Sequence, residues 1–508
     1  MLNFLNLSQA WIAAEAPVAI VVLPLIIGAL CALINKERIA WLLVLLTTLI
    51  CSALSFVILR EVMASGTISY GLGGWDPPLG IEYRVDGLNA PVLMLISVIG
   101  VICTLYALRS VTAEIEPKKR GPFYGAFMIS FAGLLGMVVT GDAFNVFVFL
   151  EVSSISTYVL VAMGASRDRR ALTAAYNYLI LGSIGATFFV IGVGFLYMQT
   201  GTLNMADIAQ ALSESGESRV TQVAFAFIVV GLGLKLAMFP LHLWLPGAYA
   251  YAPSFVTAFL AATATKAALY LLLRFVFTIF DPTADFIIST LTWLLAVLGV
   301  IGMFFASFQA IFQTDARRLL AFSSVAQVGY MLLGVGIGTM AGVTAGYVHL
   351  LGHAMTKGAL FLCLGAMWYQ FGVTRISDFK GLGKTMPWTM GAFTVAGISL
   401  IGVPGTVGFV SKFALLTAAA DKGWWWAVAA IVFTSILALV YIGRMLEAAW
   451  LQDRPQVDGV DVATREAPAS MLVAMWALAI ACVVFGVNAT WPLELANDAA
   501  SVIMGGAG

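Results

Sequence analysis

Charge is what this sequence has least of. Only 10% of its 508 residues are Asp, Glu, Lys or Arg, while 61% are hydrophobic and the mean hydropathy is +0.97. A soluble domain carries roughly 25% charged residues, so the shortage excludes an ordinary soluble protein and points to the membrane class. The 26 basic and 26 acidic residues cancel to zero net charge, which removes nucleic acid as an expected partner. Cysteine is scarce as well. Cys31, Cys51, Cys103, Cys363 and Cys482 stand singly in apolar runs, with no CxxC or Cys/His spacing. Neither an Fe–S cluster nor a zinc site is supported, and buried structural thiols are the expectation. No P-loop or GxGxxG strand–helix unit occurs, so no cofactor is expected. The first fifteen residues lack a basic region and carry Glu15, so no cleavable signal is expected either.

What the sequence has in abundance is long apolar runs. A helix needs about 20 mostly apolar residues to cross a bilayer. Fourteen stretches meet that, at about 16–34, 39–60, 87–108, 121–140, 143–164, 171–198, 221–246, 254–278, 286–312, 316–339, 341–370, 388–420, 424–450 and 467–491. The expected fold is an all-α polytopic membrane protein. Several stretches are longer than a span needs and contain Gly or Pro, which predicts tilted or broken helices.

Loop charge tests the count, because cytoplasmic loops are rich in Lys and Arg. The odd-numbered loops hold Lys36, Arg38, Arg109, Lys118, Lys119, Arg120, Arg167, Arg169, Arg170, Arg317, Arg318, Arg375, Lys380, Lys384, Arg444, Arg454 and Arg465. The even-numbered loops hold Arg60, Arg84, Arg219 and Lys422, with Arg274 near a helix end. Both termini are therefore predicted to face outside.

The chain also repeats. LTAAYNYL at 172–179 reads against VTAGYVHL at 343–350, an offset of 343 − 172 = 171, and Ser153-Ser154 recur as Ser323-Ser324, an offset of 170. Lys235 near Pro240 and Lys412 near Pro404 fall in the corresponding helices. Five helices from about 121 to 278 thus repeat from about 286 to 450. An odd number of spans reverses direction, so the copies would be inverted, a plan transporters use with broken helices at the midplane. The expected organisation is 1–120 (spans 1–3), 121–285 (first repeat, spans 4–8), 286–452 (second repeat, spans 9–13) and 453–508 (span 14).

Inside the spans lie Lys235, Lys266, Lys357, Lys412 and the one deep carboxylate, Glu151 in VFVFLEVSSISTYVLVA. Each such charge costs roughly 2.5–3.5 kcal/mol at a helix centre. The five must be paired, hydrated or reversibly deprotonated, and burial brings both lysine and glutamate towards neutral pH. Snorkelling or helix-to-helix pairing is the structural alternative; it fits Lys235, far inside its helix, poorly. All three histidines, His242, His349 and His353, also lie in apolar stretches. His349, His353 and Lys357 are spaced i, i+4, i+8, so they stack on one helix face. Such a row suits a proton relay. Two histidines at i, i+4 can also hold a metal, but no acid sits between them as in a zinc protease helix, and no metal is expected. His242 follows Lys235 by two turns with Pro240 breaking the register; it is a secondary candidate. Pro240 and Pro404 would free backbone carbonyls in mid-span, which is tolerated where they line a cavity or pack on a neighbour.

These residues resemble a known family. The helices around Glu151, LGLKLAMFPLHLWLPGAYAYAP at 232–253, HLLGHAMTKGALF at 349–361 and GVPGTVGFVSKF at 402–413 look like the antiporter-like subunits shared by Mrp-type cation/proton antiporters and respiratory complex I. The likeness covers about 70–450. GGWDPPLGIEYRVDGLNA at 73–90 is most similar to the D-type subunit of Mrp antiporters, and Lys412 agrees, since the comparable complex I subunits usually have glutamate there. The resemblance implies that Glu151 and Lys235 form the buried pair of a first half-channel. Lys266 would be the connecting lysine, His349 and His353 the central relay, and Lys412 the terminal lysine of the second half-channel. It implies partners too: other membrane subunits of one antiporter complex, protons, a monovalent cation (sodium is the expectation) and the lipid bilayer of a bacterial cell membrane. The expected function is a non-catalytic, proton-translocating subunit of a multi-subunit cation/proton antiporter. The rival is the proton-pumping subunit of a NADH:quinone oxidoreductase or related redox or hydrogenase complex, whose carriers could sit on partners. A metabolite permease would want a midplane substrate pocket, whereas charge here is spread over several helices.

Overall fold

In lipid every backbone N–H and C=O must be bonded within the segment, so apolar runs of this length become helices. The computed structural model describes residues 2–34, 36–216, 218–280, 282–453 and 465–505, with side chains from Glu15 onward. Arg454 and both chain ends, Met1 and Gly508, lie outside the described residues. The helices are α1 Leu2–Leu33, α2 Glu37–Ser65, α3 Ala90–Glu114, α4 Arg120–Val139, α5 Ala143–Ala162, α6 Arg170–Thr200 and α7 Met205–Ser215. There follow α8 Arg219–Leu236, α9 Trp244–Tyr251, α10 Ser254–Arg274, α11 Asp285–Ser289, α12 Ala296–Ile311, α13 Ala316–Ile337 and α14 Met340–Phe371. The last are α15 Leu382–Thr385, α16 Pro387–Ile401, α17 Val407–Asp421, α18 Trp425–Trp450, α19 Ala469–Val487 and α20 Thr490–Met504.

Among the described residues thirteen helices are long and apolar enough to cross a membrane. The remaining stretch of the fourteen, 388–420, divides into α16 and α17, neither of which reaches that length. The stretch 221–246 divides as well, into α8 and α9. The amphipathic helices α7 and α20, and a hairpin between α2 and α3, go beyond what the sequence predicts. In the hairpin β1 (Ile68–Gly71) pairs antiparallel with β2 (Glu82–Val85), Ile68 facing Val85. Neither kind of element has the long apolar run that makes a span visible.

The caps are polar residues just outside the apolar runs. Asp142 accepts from Asn145 N at 2.7 Å to start α5, Asp315 from Arg318 N at 2.9 Å to start α13, and Thr339 from Gly342 N at 3.2 Å to start α14. Contacts between loops follow their parity. Among odd-numbered loops Arg120 pairs with Glu37 at 2.5 Å and Lys384 with Asp453 at 2.8 Å. Among even-numbered ones Lys422 bonds the Ile337 carbonyl. The basic loops thus gather on one face and the others on the opposite face.

Helices α10, α13 and α14 form the enclosed centre, with α14 packed on α10, α13, α16, α17 and α19. By contrast α2, α6, α12 and α18 each keep an exposed apolar side. Two buried ion pairs pin this arrangement at its ends. On the face away from the basic loops Asp86 meets Arg274 through two bonds, 2.8 and 2.7 Å. Burial alone would push the Asp86 carboxyl up, but the Arg274 guanidinium beside it and the N–H groups of Leu88 and Asn89 hold it below the usual carboxylate range. On the basic face Glu114 pairs with Arg167 at 2.8 Å and accepts from Ser254 N at 2.9 Å. Removing one partner of a buried pair costs about 3–5 kcal/mol. Glu151, half-buried in mid-span, is joined by four buried carboxylates, Glu82, Asp86, Glu114 and Asp142, in β2 or near the ends of spans. Hydropathy discounts a charge at the edge of a run, so in the sequence these four read as loop residues.

Candidate functional site

The two breaks are built differently. Helix α8 stops at Leu236 because Ala237 turns left-handed, with φ 60° and ψ 43°, and Pro240 offers no N–H. Ala237 is the one non-glycine residue with positive φ among those described. The Leu234 carbonyl, which also accepts the Ala237 N–H at 3.2 Å, accepts from the Trp244 indole at 2.8 Å. Helix α16 stops at Ile401 because Gly402 takes φ 95°, a conformation open to glycine. Thr406 then caps α17. Both Pro240 and Pro404 are exposed residues of the connecting turns.

Lys235 lies in the last turn of α8 and donates to the Ser154 hydroxyl on α5, which itself donates to the Leu150 carbonyl at 2.5 Å. Glu151 is one turn from Ser154 and acts on Lys235 electrostatically. The two form no ion pair, and Glu151 Oε1 has no hydrogen-bond partner among the described residues. In place of the direct pair expected from the resemblance, Lys235 bonds Ser154, one turn along α5 from Glu151. Side chains on adjacent helices can share a site without touching when a shorter residue fills the gap.

Lys412 lies early in α17, after its break, whereas Lys235 lies before its own. It donates to the carbonyls of Leu400 at 3.0 Å and Ile401 at 2.9 Å, the negative end of the α16 dipole. Its Nζ stands 4.8 Å from the centre of the Tyr330 ring. Tyr330 stacks on His349 at 5.3 Å, and its hydroxyl meets Thr434 at 2.6 Å on α18. His349 and His353 lie parallel, 6.1 Å apart and tilted by 5°, as i, i+4 spacing on α14 predicts. His349 Nδ1 meets the Ser411 hydroxyl at 2.9 Å; its Nε2 and both nitrogens of His353 are buried without a partner among the described residues. Tautomers are set by these bonds, so His353 is the less constrained ring.

Lys266, fully buried on α10, donates to the Ala261 carbonyl and to Thr265 at 3.3 Å. Lys266 and Lys412 are close enough to act on both rings, and Lys357 on His353. Lys357 grips α13 through the Leu320 carbonyl at 2.8 Å and the Ser323 hydroxyl, which is the helix-pairing alternative for these lysines. The fold therefore joins Lys266, His353, His349 and Lys412 in one cluster. Among the described residues no hydrogen bond or ring contact joins Glu151 or Lys235 directly to that cluster. The link between the two regions is aromatic: Trp244 meets Tyr249 edge-on at 6.4 Å, and Tyr249 donates to the Leu260 carbonyl at 3.2 Å, next to the Ala261 carbonyl that Lys266 bonds. His242 is separate again, packed on Phe239 and Phe305 with ring centres 5.6 Å away and no bond to either nitrogen among the described residues. No group of three or more His, Cys, Asp or Glu among the described residues is placed to hold a metal.

Residues 140–438, more than half of the chain, match the family model described as NADH:quinone oxidoreductase/Mrp antiporter, TM. The chain belongs to this family. The matched region contains every candidate site residue of this family member, from Glu151 to Lys412. It is 41% identical over 93% of its length to the N-type subunit of the NADH-quinone oxidoreductase of Desulforudis audaxviator, covering 96% of that protein. It is 34% identical over 71% of its length to the D-type subunit of the Na(+)/H(+) antiporter of Alkalihalophilus pseudofirmus, covering 71% of that protein. Among solved structures it resembles a chain of the Mrp complex from Dietzia, with TM-score 0.88, 27% identity and 97% of each chain covered. It resembles a chain of an archaeal membrane-bound sulfane sulfur reductase equally in shape, with TM-score 0.88, 32% identity, 96% of this chain and 98% of that one.

Sequence reasoning missed the polar side chains that hold these groups. Ser154 and Ser323 are visible in the sequence only as repeat markers, and Tyr330 and Ser411 carry no signal. A hydroxyl in an apolar helix is ordinary until a partner on another helix meets it.

Proposed function

We propose that this chain is the proton-translocating membrane subunit of a multi-subunit monovalent cation/proton antiporter, itself without catalytic chemistry. The observation that carries the reading is the enclosed cluster of Lys266, His353, His349 and Lys412, where two adjacent rings, three of their four nitrogens without a partner among the described residues, are flanked by two amines. Such groups can pass a proton between them, since each can hold or release it according to its neighbour's charge. Glu151 and Lys235, the lysine held by Ser154, would load the first half-channel. Lys266 would connect it to the histidines, and Lys412 would deliver the proton at the second break. Lys357 would hold the field constant against α13, and His242 would serve the first break as a hydrogen-bonding reserve.

Two inverted copies, 121–285 and 286–452, would organise these roles between the N-terminal helices (1–120) and the C-terminal part (453–508). Supporting this, Asp142 caps α5 and bridges to Asn204 on one face, while Asp315 caps α13 and bridges to Arg375 on the other. Those offsets, 315 − 142 = 173 and 375 − 204 = 171, are close to the offset in the sequence. The basic-loop face would lie in the cytoplasm of a bacterial cell, with both termini outside. A cysteine in place of Arg169 should then resist an impermeant thiol reagent in intact cells, and one in place of Ser213 should react. The reverse would overturn the orientation.

The redox reading is favoured by one observation, the 41% identity to a NADH-quinone oxidoreductase subunit. One assay separates the two. The purified complex in proteoliposomes should release protons on a sodium jump without any electron donor. Proton movement only on addition of donor and quinone would replace the antiporter reading with the redox one.

A further inference from the structure

Two cavities adjoin on the basic-loop face, of about 390 and about 670 Å³, and share Thr314 and Arg375 as walls. Arg170 and Arg317 line the first, and Lys380 and Arg444 the second. We propose that together they bind the phosphate headgroup of an anionic phospholipid.

Six cations line the two cavities against three acids, Asp168, Asp315 and Glu447, and Glu447 accepts from Gln452 Nε2 at 3.3 Å. Asp168 is spent on Arg170 at 2.6 Å, and Asp315 on the N-cap of α13. Arg375 and Lys380 have no carboxylate within 4.0 Å among the described residues, and Arg444 donates to the Ile311 carbonyl. Arg317 is 4% exposed and held by Ala252 O at 3.2 Å and Ser254 Oγ at 2.6 Å, so its fork is fixed in direction. Fixed guanidinium forks suit phosphate oxygens, to which they donate in pairs. Basic pockets between helix ends on the cytoplasmic side are where acidic headgroups bind.

The surroundings favour a lipid over a soluble anion. Phe312, at the end of α12 beside Thr314, is 78% exposed, and Leu451, beside Gln452 in the second cavity, is 81% exposed. Phe305 and Phe308 continue that exposed apolar strip along α12, and Leu439 and Val440 run alongside on α18. Arg170 lies over Tyr251 and Arg167 over Trp368, an aromatic and basic pairing typical of the membrane–water boundary. A headgroup in the cavities would leave its acyl chains against this strip.

The test uses the purified complex in nanodiscs of phosphatidylcholine with a minor share of phosphatidylglycerol, counting retained lipid by mass spectrometry after extraction. Each cation near an acidic headgroup contributes about a fivefold factor, so Arg375→Gln with Lys380→Gln should lower phosphatidylglycerol retention by about 25-fold. Lys118→Gln, an exposed cation on the same face outside the cavities, should leave it unchanged, and Arg375→Lys should restore part of it. Melting in phosphatidylcholine alone should match the parent, which separates lost binding from misfolding. Equal retention in parent and double variant overturns the site. So does equal loss in Lys118→Gln, which would mean a general surface charge. Displacement of the lipid by inorganic phosphate at about 10 mM would assign the cavities to a free anion and overturn the lipid proposal.

Discussion

Lys235 closes a half-helix and reaches sideways to a hydroxyl on α5, beside a carboxylate that it does not touch. Lys412 opens a half-helix and reaches back to the two last carbonyls of the half-helix before it, with the Tyr330 ring on its remaining side. One ammonium is balanced by side chains that can rotate or change protonation, the other by backbone that cannot. The difference teaches that a lysine beside a break need not do the same work in both halves of a chain. In the first half the partners can respond to an arriving charge. In the second half the helix end holds the lysine, and on the proposed reading response would fall to His349, which meets the Ser411 hydroxyl.

The largest effects should come from removing either amine. Lys235→Ala and Lys412→Ala are each expected to lower cation-driven proton release at least tenfold in vesicles, with Lys412→Arg also impaired because arginine keeps its proton. Normal transport in the assembled Lys412 variants would make Lys412 a structural lysine. Stability should then separate the two. Lys412→Ala strips a bond from the buried Leu400 carbonyl and one from the half-buried Ile401 carbonyl, at about 1–3 kcal/mol for the buried one, while Lys235→Ala leaves Ser154 still bonded to Leu150. The first variant should melt measurably lower on heating, and equal melting would erase the comparison.

Glu151→Gln sharpens it from the other side. Since Glu151 makes no ion pair with Lys235, the variant should assemble and melt within about 0.5 kcal/mol of the parent, yet lose transport. A large loss of stability would mean that the two groups are in direct contact after all. The smallest effects belong to the turns. Gly402→Ala puts a Cβ 2.9 Å from the Lys412 side chain at φ 95°, costing about 1–2 kcal/mol and weakening transport through Lys412. Ala237→Gly relieves a left-handed alanine and should stabilise by about 1 kcal/mol. A stabilising Gly402→Ala would show that the second break is looser than its bonds imply.

Much of this is readable in the chain alone. The spans, the loop parity, the two broken stretches and the stacking of His349 on His353 depend on residues within one or two turns of each other, or on composition over about 20 positions. A bilayer forces backbone bonds to close locally, so helices are a local property that sequence determines. The partners of the buried charges are not readable. Ser154 is 81 positions from Lys235, Tyr330 is 101 from Ile431 whose carbonyl it approaches, and Arg317, a loop cation by sequence, is buried among groups from three other segments. The gathering of Lys266 and Lys412 with the histidines was decided by how α10, α14 and α17 pack. Such contacts join helices far apart in the chain, and no periodicity along a single helix specifies which neighbour its polar face will meet.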